Sequence, residues 1–140
     1  MTKSPSTLRV RDVMTAEVRT LGRNDQLSLA DDLMSAARIR HLPVLDEDGA
    51  VSGIVSQRDL FRGALARALG YGEAAQRKLL GTLVVKEVMT TDVVTVDPDV
   101  PLVEAAATML RHRIGCLPVV SGDRLLGILT EADFVRLAAG

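Results

Sequence analysis

Aromatic residues, cysteine and long apolar runs are all scarce in this sequence of 140 residues. The chain has no tryptophan, one tyrosine, two phenylalanines and one cysteine. Leu, Val, Ile, Met and Ala must therefore build the core, and a planar ligand would have to lie between aliphatic side chains. A single cysteine excludes an internal disulfide and any metal site made of cysteines alone.

A strongly basic surface is also lacking, since the formal net charge is −1. Proteins that bind nucleic acid over a broad surface need a basic face, so we expect no nucleic-acid partner. No apolar run approaches the roughly 18 residues of a membrane-spanning helix, so we expect no membrane association. The first ten residues contain no apolar segment typical of a secretion signal, which predicts a cytoplasmic location. Hydrophobic residues make up 47% and charged residues 25%, as in folded globular chains.

The dominant feature of the sequence is an internal repeat of about 55 residues, the kind of signal that decides a fold prediction. Three pairs of segments match in the same order: VRDVMTAEVRTL (10–21) with VKEVMTTDVVTV (85–96), IRHLPVL (39–45) with IGCLPVV (114–120), and GIVSQRDLF (53–61) with GILTEADFV (127–135).

Each copy predicts the element order β-α-β-β-α. The first strands are expected at 17–21 and 92–96, and Asn24 or Asp99 is the candidate cap of the helix that follows. Apolar spacing predicts one buried face on each of these helices. The face consists of Leu27, Ala30, Leu33, Met34 and Ala37 in the first copy, and of Leu102, Ala105 and Met109 in the second.

These elements predict an α+β fold, α/β-like in its element order. One unit of this size buries little apolar surface by itself. We therefore expect the two β-α-β-β-α repeats to pack sheet to sheet with pseudo-twofold symmetry. The predicted domains are 8–66 and 84–138, joined by a helical linker at 67–83.

Together the motifs resemble those of a tandem pair of cystathionine-β-synthase-type (CBS) domains. The resemblance depends on VMT before a strand, on LPV at a strand start, and on G-h-h-[ST]-x-x-D before a helix, where h is apolar; each occurs twice. It covers residues 8–138 and implies a stand-alone regulatory module. Such modules bind AMP, ADP, ATP or S-adenosylmethionine in clefts between the two domains, need no further cofactor, pair as homodimers and act on a regulated partner protein.

The junction at 56–59, Ser-Gln-Arg-Asp, allows two interpretations. It fits a capping box, in which the hydroxyl and the acidic residue satisfy backbone N–H groups. It also fits a ligand site, because a helix N-terminus suits phosphate and a carboxylate can accept hydrogen bonds from two ribose hydroxyls. Both copies have Asp where capping boxes favour Glu or Gln, which favours ligand contact by Asp59 and Asp133.

The resemblance implies which residues complete each site. The first site would consist of Ser56, Arg58 and Asp59, with an adenine slot from Met89, Asp92, Val94, Ile114, Gly115 and Cys116. The second site would consist of Thr130 and Asp133, with Met14, Glu17, Arg19, Ile39, Arg40 and His41.

The two copies differ beside the carboxylate. Arg58 in the first copy corresponds to Ala132 in the second, where Glu131 lies next to the hydroxyl. Because phosphate needs cationic partners, the first site is expected to prefer a phosphorylated ligand. We therefore expect Asp59→Ala to weaken nucleotide binding more than Asp133→Ala does.

Other functions find less support in the sequence. His41 and Cys116 occupy matching positions, but a metal site needs three or four ligands at suitable spacing, so no metal is expected. No phosphate loop, dinucleotide fingerprint or nucleophile motif is present, which argues against an enzyme. The alternative to a ligand sensor is an assembly module that dimerises with empty clefts.

Overall fold

The structure is a computed structural model that describes residues 7–61 and 81–140. Within these ranges the chain forms two compact units. One, termed the terminal unit, comprises Met1–Val18 and Val94–Gly140; the other, termed the central unit, comprises Arg19–Val93. Most of the predicted linker, 67–80, lies outside the described residues.

The compact units do not coincide with the sequence repeats. Residues 10–18 open the first repeat but lie in the terminal unit, with most of the second repeat. Residues 85–93 open the second repeat but lie in the central unit, with the first. Packing defines the units and sequence defines the repeats, so the predicted domains 8–66 and 84–138 stay a prediction.

Helices and short strands make up both units, as an α+β fold requires. The helices are α1 Val10–Val13, α2 Leu27–Ala37, α3 Leu102–His112 and α4 Glu131–Ala139. The strands are β1 Leu21–Gly22, β2 His41–Leu45, β3 Val51–Ser56, β4 Cys116–Ser121 and β5 Arg124–Thr130. A helical turn also occupies 57–61, and a 3-10 helix spans Val85–Glu87.

Each unit contains one small sheet built around an antiparallel hairpin. In the central unit, β1 runs parallel to β2, and β2 runs antiparallel to β3. In the terminal unit, β4 runs antiparallel to β5, and Val96 alone bridges to Val119 in parallel. The predicted α+β class and the two small sheets are therefore confirmed.

The first strand of each copy is much shorter than predicted. Strand β1 begins at Leu21 rather than at residue 17, and the copy at 92–96 is reduced to the bridge at Val96. The Val96 N–H donates to the Pro118 carbonyl at 3.0 Å, and the Val120 N–H donates to the Val96 carbonyl at 2.9 Å. The next bond toward the N-terminus would need an N–H on Pro118, which proline lacks. Pro43 occupies the corresponding position in β2, the strand that pairs with β1.

The predicted helix caps were wrong. The N-cap residues are Gln26 for α2 and Pro101 for α3, not Asn24 and Asp99. Backbone carbonyls from elsewhere in each unit satisfy the first N–H groups instead: Leu27 N–H donates to Leu83 and Leu102 N–H to Leu8, each at 2.8 Å.

The predicted apolar helix faces do form the cores. Buried residues in the central unit are Leu21, Leu27, Ala30, Met34, Leu42, Val44, Val55, Leu60, Leu83 and Val85. Buried residues in the terminal unit are Leu8, Val10, Leu102, Ala105, Met109, Leu117, Val119 and Leu129. Neither set contains an aromatic residue, as the composition predicted. Leu33 and Ala37 are only half-buried.

In each unit the VMT segment crosses the hairpin strand that leads to the final helix. Thr15 and Ile128 exchange two backbone hydrogen bonds of 2.9 Å. Thr90 and Ile54 do the same at 2.9 and 3.0 Å. The glycine that precedes each isoleucine, Gly127 or Gly53, lies beneath the crossing segment.

Alanine at these glycines should destabilise the protein. A Cβ at Gly127 would lie 2.7 Å from the Thr15 carbonyl oxygen, and one at Gly53 would lie 2.9 Å from that of Thr90. We expect Gly127→Ala and Gly53→Ala each to lower the free energy of unfolding in urea by about 1–3 kcal/mol, the usual range for overpacking. Gly81→Ala is the control, because a Cβ there meets no described atom within 4 Å. Equal stability of all three variants would contradict this account of the crossing.

Candidate functional site

A complete capping box is present at the first junction, and one of its two hydrogen bonds is present at the second. The Ser56 N–H donates to Asp59 Oδ2 at 2.9 Å, and the Asp59 N–H donates to Ser56 Oγ at 3.1 Å. In the second copy, the Thr130 N–H donates to Asp133 Oδ2 at 2.8 Å. Both carboxylates therefore cap a backbone N–H group, and any ligand would meet carboxylates that already have this role.

The residues before each LPV lie directly beside a junction. His41 pairs with Ser56 across the β2–β3 hairpin, and Cys116 pairs with Thr130 across β4–β5. The first N–H of each following helix also bonds to this region: the Gln57 N–H donates to the Arg40 carbonyl at 2.8 Å, and the Glu131 N–H donates to the Gly115 carbonyl at 3.2 Å. Hydroxyl, carboxylate and hairpin start thus form one compact cluster in each unit.

The structure groups the predicted site residues by unit. In the central unit His41, predicted for the second site, pairs with Ser56 of the first, and Arg40 and Ile39 directly precede it in the chain. In the terminal unit the structure brings Ile114, Gly115 and Cys116, predicted for the first site, next to Thr130 and Asp133 of the second. The assignment of these residues to two separate ligand sites stays a prediction.

The remaining predicted residues differ in exposure. Met14 and Met89 are half-buried, and their sulfur atoms lie close to the positions that a Cβ would take on Gly127 and Gly53. Val94 is also half-buried. The exposed members of the predicted set are Glu17, Arg19, Arg40, Arg58 and Asp92.

Asp133 is the one charged residue found buried in the described part of the chain, with 3% of its surface exposed. Its Oδ1 accepts a hydrogen bond from the Thr15 hydroxyl at 2.8 Å and one from Arg136 Nη2 at 2.5 Å. Its Oδ2 accepts from the Thr130 N–H at 2.8 Å and from the Thr130 hydroxyl at 3.4 Å. The carboxylate therefore joins α4, β5 and the VMT segment of this unit.

Asp59 is less enclosed than its counterpart. It is half-buried, and within 7–61 and 81–140 only Oδ2 accepts a hydrogen bond, from the Ser56 N–H. Arg58 beside it is exposed. Arg62, three residues after Asp59, lies outside the described residues.

The second copy does have a cation at its carboxylate. The difference between Arg58 and Ala132 in the sequence does not reveal Arg136. This arginine lies one turn after Asp133 on α4 and forms an ion pair with it. Helix residues three apart face each other, and D-x-x-R occurs in both copies, with Arg62 and Arg136. That spacing was the signal that could have identified the arginine. Thr15, in the VMT motif, was missed as well.

Among residues 7–61 and 81–140 no three His, Cys, Asp or Glu side chains are grouped so that they could hold a metal ion. Over the same ranges no helix has both the length and the apolar content needed to cross a bilayer.

Comparison with protein families identifies both repeats. The model of the family described as CBS domain matches residues 10–66 and 85–140. This confirms the resemblance that the motifs indicated.

Solved structures of similar fold agree. A Vibrio cholerae protein described as the acetoin utilization protein AcuB is 42% identical, with a TM-score of 0.80 over 94% of this chain and 90% of that one. The CBS domain pair of protein MJ0100, in complex with 5′-methylthioadenosine and S-adenosyl-L-methionine, is 29% identical, with a TM-score of 0.79 over 95% and 97%. CBSX2 in complex with AMP is 28% identical, with a TM-score of 0.75 over 94% and 96%.

Curated relatives include much longer proteins. A homoserine O-acetyltransferase of Methanococcoides burtonii is 36% identical over 129 residues, which are 91% of this chain and 24% of that protein. The chain spans about a quarter of the length of the first curated relatives it matches. The similarity thus concerns one segment of these proteins.

Removing the two carboxylates should affect stability unequally. We expect Asp133→Ala to lower the free energy of unfolding by about 2–3 kcal/mol, because hydrogen bonds to a buried charged group are strong and their donors lose a partner. Asp59→Ala removes one cap and should cause a loss of about 1 kcal/mol. Urea denaturation measures both, with exposed Asp48→Ala as control. A larger loss for Asp59→Ala would contradict the enclosed geometry of Asp133.

The Cys116 thiol should make stability fall at alkaline pH. Burial raises its pKa from 9.0 to about 12, so the unfolded chain ionises first and binds fewer protons than the folded chain between these values. Stability is then complete below about pH 9 and declines as pH rises toward 12. We expect Cys116→Ala to lose less stability than the wild-type chain between pH 8 and pH 10.5, measured by urea denaturation. Parallel declines would show that the thiol ionises freely in the folded protein.

Proposed function

Because the chain belongs to the CBS domain family, with copies at residues 10–66 and 85–140, we propose that it is a non-catalytic regulatory module that binds an adenosine-containing ligand. The candidates are AMP, ADP, ATP and S-adenosylmethionine. The cytoplasmic location, the homodimer and the regulated partner protein that the sequence predicted belong to the same proposal.

The observation that carries the proposal is the Asp59 carboxylate, whose Oδ1 accepts no hydrogen bond from residues 7–61 and 81–140. Its other oxygen is fixed by the Ser56 N–H at 2.9 Å, so the group has a defined orientation. A carboxylate held in this way can accept hydrogen bonds from the two hydroxyls of a ribose. Exposed Arg58 and the start of a helix lie beside it, and both attract phosphate.

Two similar structures support the choice of ligand class. The MJ0100 pair is in complex with 5′-methylthioadenosine and S-adenosyl-L-methionine, and CBSX2 is in complex with AMP. These three molecules share adenosine and differ at the 5′ position of the ribose. A carboxylate that binds the ribose diol would serve all of them, and neighbouring charges would then select among them.

The adenine base would lie between small and aliphatic side chains. We assign to the adenine slots the small and aliphatic residues that the sequence predicted, since the chain has few aromatic side chains for stacking. These residues are Met14, Ile39, Met89, Val94, Ile114, Gly115 and Cys116.

A ligand-free assembly module is the second candidate. Two large apolar side chains on α3, Val103 and Leu110, are 56% and 80% exposed and lie on the same helix face, seven residues apart. An apolar helix face of this kind suits contact with another protein surface.

Thermal denaturation with each ligand distinguishes the two candidates. At a concentration of about 100 times Kd, a ligand that binds the folded chain stabilises it by roughly 2.7 kcal/mol. We expect at least one of AMP, ADP, ATP and S-adenosylmethionine to raise the Tm. No shift with any of the four would favour the assembly module.

Calorimetry with the ligand that binds should then separate the two copies. We expect Asp59→Ala to weaken nucleotide binding more than Asp133→Ala, because Arg58 beside Asp59 is a cationic partner for phosphate, whereas Asp133 already accepts hydrogen bonds from Thr15, Thr130 and Arg136. Asp123→Ala, in the exposed β4–β5 turn, is the control and should bind as the wild-type chain does. The titrations are done well below the Tm of the least stable variant. Equal losses for the first two variants would contradict the asymmetry.

A further inference from the structure

The carboxylate of Asp133 has no position left for a ribose hydroxyl. Its two oxygens accept hydrogen bonds from Thr15, Arg136 and, twice, Thr130. An ionised carboxylate has about four acceptor positions. A ligand that uses this carboxylate must therefore displace some of its present donors.

A ribose diol donates two hydrogen bonds, so two donors must leave: the Thr130 hydroxyl, whose contact is long at 3.4 Å, and Arg136, the donor with the exposed side chain. The Thr130 N–H belongs to the start of α4, and Thr15 is held by two backbone hydrogen bonds of 2.9 Å to Ile128. The Arg136 side chain is 65% exposed and reaches Asp133 only with its Nη2 atom. Moving it needs a change of side-chain rotamers and leaves the backbone in place.

An anionic ligand group would draw Arg136 away. The guanidinium binds phosphate or carboxylate oxygens with two parallel hydrogen bonds. At Asp133 it uses Nη2 alone, so a phosphate would offer it a second bond. A neutral nucleoside offers no such exchange and would have to break the Arg136–Asp133 pair without replacing it.

From this geometry we infer that Arg136 determines ligand specificity at the second carboxylate. Its guanidinium bonds to Asp133, and a ligand with an anionic group would draw it away and expose the carboxylate. The inference rests on the proposed function, because it concerns the regulation of the same kind of ribose site.

The test uses the Asp59→Ala chain, in which only the second carboxylate remains. AMP and adenosine share every group except the phosphate, so they are the two probes for calorimetry. We expect adenosine to bind at least about tenfold more weakly than AMP, which is 1.4 kcal/mol. In the Asp59→Ala/Arg136→Gln chain we expect the ratio to fall to within about threefold, with adenosine bound more tightly than before.

Two further substitutions in the same Asp59→Ala chain make the result specific. Arg124→Gln removes the same charge from an exposed position at the start of β5 and should leave the ratio unchanged. Arg136→Lys keeps the charge and should retain a preference for AMP; it also serves if the Gln variant does not fold. Equal affinity for AMP and adenosine in the Arg136→Lys chain would overturn the inference. An unchanged ratio of the two affinities in the Arg136→Gln chain would overturn it as well.

The outcome also separates this inference from the proposed function. Loss of all AMP binding in the Asp59→Ala chain would overturn the role of Arg136, while the proposed function would stand on the first carboxylate. Absence of binding by the wild-type chain to AMP and to the other adenosine ligands would overturn both.

Discussion

The backbone crossing between each VMT segment and its hairpin strand is the contact on which the rest of each unit depends. Thr15 bonds to Ile128, and Thr90 bonds to Ile54, through paired hydrogen bonds of 2.9–3.0 Å. The crossing ties a segment from the start of one repeat to the sheet of the other repeat. It also sets the position of the junction, because the strand continues from the crossed isoleucine directly to Ser56 or Thr130 and then into a helix. The glycine in G-h-h-[ST]-x-x-D is explained by this contact, since the crossing segment leaves no room for a side chain.

Much of this architecture could be predicted from the sequence because it depends on periodic patterns. Apolar residues at helical spacing identified the buried faces of α2 and α3, and the two copies supported each other. The errors have a common physical cause. Asn24 and Asp99 are good capping residues by type, but the helix ends are satisfied by the carbonyls of Leu83 and Leu8, which are distant in sequence. Single-residue preferences carry no information about such partners.

Prediction of the candidate site from the sequence has the same limit. The hydroxyl and the carboxylate of each junction were predictable, since four consecutive residues fix a capping box. Thr15 was not predictable as a partner of Asp133, because 118 residues separate them. Arg136 was predictable from its spacing, since residues three apart on a helix face each other, whereas Arg58 is adjacent to its carboxylate only in sequence. For Thr15 the missing information was which side chain is brought to a buried charge, and a buried charge needs such partners to be stable.

Within the described residues, the two copies of the junction motif differ in the burial and in the hydrogen bonding of their carboxylates. Asp133 is enclosed and accepts hydrogen bonds from three residues, so its charge contributes to the packing of the terminal unit. Asp59 is half-buried, with one oxygen that accepts no bond from the described residues. A carboxylate already bonded within the protein binds a ligand only by exchange, whereas one with an open oxygen binds by addition. When a ligand replaces a donor of the protein, its affinity depends on the hydrogen bonds that it makes with the displaced donor. Two copies with the same carboxylate can therefore differ in ligand preference.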